Sequence, residues 1–190
     1  MSKKQCPWCV GDELYEKYHD LEWGVPVFDD KILFEFLILE TFQAGLSWIT
    51  ILKKREHFRK AFDDFDVEKI AHYSEEKIQE LLQNPGIIRN KLKVRSAVTN
   101  AQAFIKIQKE HGSFSNYIWS YVNHKAIQNT VKDYNKAPAT TPLSEKISKD
   151  LKKRGFKFVG PTVIYAYMQA VGMVNDHETS CFRHQEVSFT

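Results

Sequence analysis

The chain has 190 residues, enough to bury one sizeable hydrophobic core, and reads as a single unit over 1–190. Its 43% hydrophobic and 27% charged composition is that of a globular protein, and the longest apolar run, Ile32 to Leu52, is interrupted by Glu35, Glu40 and Gln43, which excludes a membrane span. The net charge of +3 is modest, and three cysteines are too few for a disulfide framework, leaving metal binding or simple burial.

The opening "MSKKQCPWC" has lysines but no apolar core behind them, so a signal peptide is not expected and a cytoplasmic location is. Asp12 predicts the cap of a first helix through Asp20, with Tyr15, Tyr18 and His19 on one face. From Asp30 to about Lys54 the pattern predicts one long helix, or two joined near Gly45, apolar nearly all round and therefore central. "DVEKIAHYS" and "SEEKIQELLQ" predict short helices, each opening on Asp or Ser with Glu behind it. Asn84-Pro85-Gly86 breaks the chain, and a helix from about Arg89 to Lys109 follows. "FSNYIWSYVNHKAI" is aromatic-rich and ambiguous, and the polar stretch from Asn129 to Thr141 reads as a surface loop. No stretch alternates convincingly enough for a sheet.

"TTPLSEKISKDLKKRGFKFVGPTVIYAYMQAVG" carries the clearest local signal. Thr141 with Pro142 and Gly160 with Pro161 are cap and first-turn pairs, and Gly155 and Gly172 are terminating glycines, which spells helix, tight hairpin, helix. Such a turn is either an ordinary connection or an anion site built from backbone N–H groups and a helix dipole. Lys152, Lys153, Arg154 and Lys157 add charge around it, and "LKKREHFRK" and "GIIRNKLKVR" are further basic clusters, read as a phosphate-facing surface or as solvated helix faces. Near the end of the chain, His177 and Cys181 would share one face of a helical turn, half of a closed metal site.

The order of "GLSWITILKKREHFRKAF", "KIQELLQNPGIIRNKLKVRSAVTNAQ" and "LKKRGFKFVGPTVIYAYM" resembles the helix-hairpin-helix DNA glycosylases. "YHDLEWGVP", "LETFQAGLSWITILKKRE", "LKKRGFKFVG" and "VNDH" resemble more closely the 3-methyladenine DNA glycosylase I (Tag) family, from Cys6 to Cys181. There is little likeness in the Asn129–Thr141 loop or after Cys181. The resemblance implies an all-α fold of two helical lobes, and a monomeric repair enzyme that flips 3-methyladenine out of double-stranded DNA and hydrolyses its N-glycosidic bond without strand cleavage. It also implies a structural zinc ion on Cys6, His19, His177 and Cys181 that ties the two ends of the chain together. Cys9 is then either a competing ligand in a CxxC pair or a small buried hydrophobe.

The resemblance further gives Glu40 the task of reading the extruded base. A carboxylate among apolar neighbours is paired, protonated or functional, and the alternative is an acid satisfied by a helix end. Trp48, Tyr18, Trp8 and Tyr15 would form an aromatic cage suited to a methylated, cationic purine, although each is also an ordinary core residue. Glu40 and Trp48 would face one cavity if their helix is continuous. Gly45 and Leu46 are implied to enter the duplex where the base leaves, with Gln43 on the same edge. The family is understood to lack the superfamily's catalytic aspartate, and Asp176 is the only one after Gly160.

Overall fold

A computed structural model describes residues 3–189; residues 1, 2 and 190 of the expected single unit lie outside it. Helix α1 (Glu13–Leu21) starts where the Asp12 carboxylate accepts from the amides of Leu14 and Tyr15. Helix α2 (Asp30–Gln43), capped by Asp29, buries every residue from Leu33 to Phe42. A helix with no polar face must lie at the centre, and α2 packs against α3 (Trp48–Ala61), α6 (Lys91–His111), α7 (Phe114–Ser120) and α9 (Pro161–Ala170).

Of the two readings for Asp30–Lys54, the structure has two helices. The break spans Ala44–Ser47, with Gly45 in the left-handed region at φ +85°. Lys93 closes the end of α2, its Nζ donating to the carbonyls of Phe42 (2.8 Å) and Ala44 (2.7 Å). One lysine of the "GIIRNKLKVR" cluster is therefore a buried helix cap. On α3, Arg55 joins three helices by pairing with Glu35 of α2 (2.5 Å) and Glu22 at the end of α1 (2.6 Å).

Helices α4 (Val67–Ala71) and α5 (Glu75–Gln83) are short, and α6 begins at Asn90, whose side chain accepts from Leu92 and Lys93. Helix α8 (Pro142–Lys153) opens on a reciprocal Thr141–Ser144 capping box, and α9 opens on Gly160 and Pro161. The tight turn between them is clamped to α6, where the Asn100 side chain donates to the Lys157 carbonyl (3.1 Å) and accepts from its amide (2.8 Å).

The fold is mostly helical, as expected, with one short sheet. Ile127–Gln128 (β1) and Val174–Asn175 (β2) form a parallel ladder, extended by a bridge between Val131 and Glu178. Two-residue strands are too short to show an alternating pattern. Past Gly172 the chain runs against the segment after α1: a Cβ there would lie 2.4 Å from Pro26 N, so only glycine allows the approach. Gly24 and Val27 donate to the carbonyls of Gln169 and Val171 across this contact, which sets Trp23 beside the end of α9. Helix α10 (Phe182–Glu186) follows Cys181. No helix among the described residues is long and apolar enough to cross a membrane.

Candidate active site and metal centre

A cavity of about 200 Å³ opens where α1, α2, α3 and α9 meet, lined by Trp8, Tyr15, Tyr18, Trp23, Glu40, Gln43, Trp48, Tyr134, Ala166 and Gln169. It is smaller than the ~300–1,000 Å³ usual for drug-sized ligands, so it suits something smaller. Glu40 and the four cage aromatics expected from the resemblance all line it. The reason differs for Trp48: the helix is not continuous from Glu40, and the Ala44–Ser47 turn starts α3 afresh at the cavity edge.

Aromatic rings form most of the wall. Trp8 meets Tyr15 and Trp23 edge to face, with centroids 4.8 and 4.9 Å apart, and Tyr18 lies 5.6 Å from Trp48. Glu40 is 3% exposed, and among the described residues no donor reaches its carboxyl. Burial alone pushes its pKa up to about 8, so at neutral pH the acid holds its proton. Burial raises Tyr15 to about 12 and Tyr18 well above the ordinary phenol value, so both hydroxyls stay protonated.

Gly45 and Leu46 stand on the turn beside the cavity. Leu46 is 38% exposed, and the Gln43 side chain, which lines the cavity, donates to its carbonyl (2.5 Å). Around the α8–α9 turn, Lys152, Lys153 and Lys157 are exposed, and Gly155 adopts φ +98°. Arg154 departs from the expectation. Its guanidinium is held by Glu110 (2.6 Å) and Asp150 (3.1 Å) and lies over the Tyr117 ring, so its charge is matched within the chain.

Cys6, His19, His177 and Cys181 are buried, and their ligand atoms lie within 4.8 Å of one another, close enough to share one metal ion. His19 Nε2 is 3.5 Å from Cys181 Sγ, and His177 Nδ1 is 3.8 Å from each sulfur. The remaining nitrogens fix both tautomers: His19 Nδ1 donates to Asp20 (2.7 Å) and His177 Nε2 to the Trp23 carbonyl (3.0 Å), leaving a lone pair on each inward nitrogen. The Glu178 amide donates to Cys6 Sγ. A hydrogen bond from Cys6 holds Cys181 far below the usual thiol range, while the same bond, with burial, keeps Cys6 protonated. Two converging sulfurs and two imidazole lone pairs suit a cation that would relieve this sharing. The expected helical turn is absent: His177 and Cys181 come together through a bend that ends at Cys181, the N-cap of α10. Cys9 stays outside the cluster, donating to the Cys6 carbonyl, with its thiol pushed up to about 12 by burial.

Asp176 does not line the aromatic cavity. It is 1% exposed and accepts from Tyr165, Gln169 and Asn129. Sequence reasoning passed over Trp23, Tyr134 and Gln169. Trp23 sits inside "YHDLEWGVP" and was within reach, whereas Tyr134 lies in the stretch read as a surface loop.

A family model described as methyladenine glycosylase matches residues 8–184. The chain is 49% identical over 177 residues to a DNA-3-methyladenine glycosylase of Haemophilus influenzae, covering 93% of this chain and 96% of that one. The fold matches a crystal structure of 3-methyladenine DNA glycosylase I with a TM-score of 0.91 at 48% identity, over 94% of this chain and 98% of the other. A variant of a 3-methyladenine DNA glycosylase I, crystallised with 3-methyladenine, gives a TM-score of 0.91 at 38% identity, over 94% and 96% of the two chains.

Proposed function

The chain belongs to the methyladenine glycosylase family, and on that premise we propose that it excises 3-methyladenine from alkylated double-stranded DNA by hydrolysing the N-glycosidic bond, acting as a monomeric single domain in the cytoplasm. The observation that carries this reading is Glu40: a buried carboxyl without a protein donor, at the wall of an aromatic cavity.

The methylated purine enters as a cation, which the π-faces of Trp8, Trp48 and the tyrosines attract. Its charge brings the Glu40 acid down from about 8, and the resulting carboxylate accepts from the exocyclic amine. The bond from sugar to base breaks with its electron pair going to the ring, which neutralises the base. Water adds to the sugar carbon and releases its proton to solvent. Among the described residues no lysine lines the cavity, so a Schiff-base route with strand cleavage finds no lysine nucleophile there. Leu46 enters the duplex in place of the departed base, with Gly45 allowing close approach, while the α8–α9 turn is a helix-hairpin-helix element that holds phosphates.

Cys6, His19, His177 and Cys181 would hold a structural zinc ion. Bonds of ~2.3 Å to sulfur and ~2.0–2.1 Å to nitrogen imply tetrahedral edges of roughly 3.3 to 3.8 Å. The 3.2 Å N···N and 3.5–3.8 Å S···N separations fit that set. The ion would supply a cross-link between the chain's two ends.

Chromatography of methylated duplex DNA after incubation with the protein tests the reading. Free 3-methyladenine should appear with the strand intact. DNA that binds but releases no base would overturn it.

A further inference from the structure

A hydrogen-bond chain runs from the cavity wall into the interior. Tyr134 OH donates to Gln169 Oε1 (3.3 Å), and Gln169 Nε2 donates to Asp176 Oδ2 (2.7 Å). The same carboxylate accepts from Tyr165 OH (2.6 Å) and Asn129 Nδ2 (2.6 Å). Tyr134 and Gln169 line the cavity; Asp176 does not. Tyr134 is also held by its backbone, whose amide donates to Glu178 Oε1 (2.9 Å), and its ring lies against Trp8 and Trp23 at 6.0 and 5.8 Å. It borders a second groove that runs past Ala44 and Gly45 to Thr162 and Val163 at the start of α9.

The chain has a direction. A carboxylate accepts and cannot donate, so Gln169 must turn its Nε2 toward Asp176 and its Oε1 toward Tyr134. The Tyr134 hydroxyl then spends its only proton on Gln169, and what remains of it is an acceptor. Burial raises the pKa of this phenol, so the proton stays in place through the physiological range.

We propose that Tyr134 is a further specificity-determining residue of the base cavity, and that Asp176, acting through Gln169, is the positioning residue that leaves the Tyr134 oxygen as an acceptor toward the base. This rests on the base-excision reading above. A second acceptor in the cavity that Glu40 lines suits a purine whose edge donates and disfavours one that presents a carbonyl. Asp176, beside a cluster ligand in sequence, thereby serves the pocket without touching the base.

Calorimetric titration of free 3-methyladenine into wild type, Tyr134→Phe, Asp176→Asn and the double variant tests this, with metal content and melting temperature followed in parallel. Tyr134→Phe keeps the ring and should weaken binding about three- to tenfold, the range a neutral hydrogen bond supplies. Asn at 176 lets the Gln169 amide turn over, so Asp176→Asn should cost a similar factor. The double variant should bind no more weakly than the weaker single one, because Asp176 acts only through that hydroxyl. Should Asp176→Asn fail to fold, Gln169→Met, of similar length but without an amide, should likewise add no loss to Tyr134→Phe. Additive losses, or wild-type binding by Tyr134→Phe, would overturn the proposal alone. Wild type that neither binds nor releases 3-methyladenine would overturn the base-excision reading and this inference with it.

Discussion

His19 Nε2 and His177 Nδ1 face each other at 3.2 Å although 158 residues separate them in the chain. Each ring is aimed from behind, His19 by Asp20 and His177 by the Trp23 carbonyl, and Trp23 itself walls the aromatic cavity. The cluster therefore closes the chain on itself and, through Trp23 and Trp8, orders one side of the pocket.

The protein should bind one zinc ion per chain and lose stability with it, because deprotonated ligands gather at one point only in the folded state. His177→Ala or Cys181→Ala should remove the metal and lower the melting temperature by several degrees, whereas Cys9→Ala should keep the metal. Metal analysis by plasma emission, with thermal melts before and after chelation, reads both effects. Zinc that survives both ligand changes and falls only with Cys9→Ala would reassign the cluster.

If the α8–α9 turn holds phosphates as proposed, Lys152, Lys153 and Lys157 are the exposed cations that would do so. Replacing Lys152 and Lys153 with alanine should weaken binding to any duplex by a similar factor. It should also flatten the slope of log affinity against log salt by roughly 0.9 for each phosphate no longer neutralised. Arg154→Ala should instead lower the melting temperature, because it releases Glu110 and Asp150 from their partner. An unchanged salt slope in the double lysine variant would move the DNA-binding face elsewhere.

The helices were legible because caps and breakers are local: Asp12, Asp66, Ser74 and Thr141 all accept the amides their positions foretold. The cage residues came from a family resemblance, since nothing in "LETFQAGLSW" alone distinguishes a functional Glu40 from a satisfied one. Tyr134 was illegible for a different reason. Its place depends on a ladder of two-residue strands and on Glu178, 44 residues away, so composition registers only a polar loop. The ion pairs of Arg154 were hidden for a similar reason, because a basic run does not show which charge has an internal partner.

Glu40 should leave a signature in stability. Its folded pKa of about 8 exceeds the ordinary 4.5, so between those values the unfolded chain has lost a proton that the folded chain keeps. Folding stability then falls as pH rises from about 4.5 to about 8, by a few kcal/mol at ~1.4 kcal/mol per unit, and levels off above. Glu40→Gln removes the titration, so it should be the more stable protein at pH 8–9 and its advantage should vanish near pH 5. Thermal melts of both proteins across that range measure the difference, in which contributions from the metal ligands cancel. Parallel pH profiles would mean that Glu40 is already ionised and paired in the free protein.

Base choice is the sharper test of the same residue. Glu40→Gln keeps the shape of the side chain, but its amide can set a donor against the exocyclic amine, and Glu40→Ala leaves that edge unpaired in a closed cavity. Both should slow excision of 3-methyladenine by tenfold or more, on the order of 1.4 kcal/mol per factor of ten, while binding to undamaged DNA stays near wild type because the phosphates are held outside the cavity. Affinity for the free base should fall in parallel. Wild type should leave 7-methylguanine largely in place, although its glycosidic bond is weakened by charge as well, because its carbonyl would face the Glu40 carboxylate and the Tyr134 oxygen. Single-turnover release from duplexes carrying each lesion, compared across wild type and both variants, decides the matter. Equal release of the two bases by wild type, or an undiminished rate in Glu40→Gln, would return Glu40 to the role of a buried acid that only fills space.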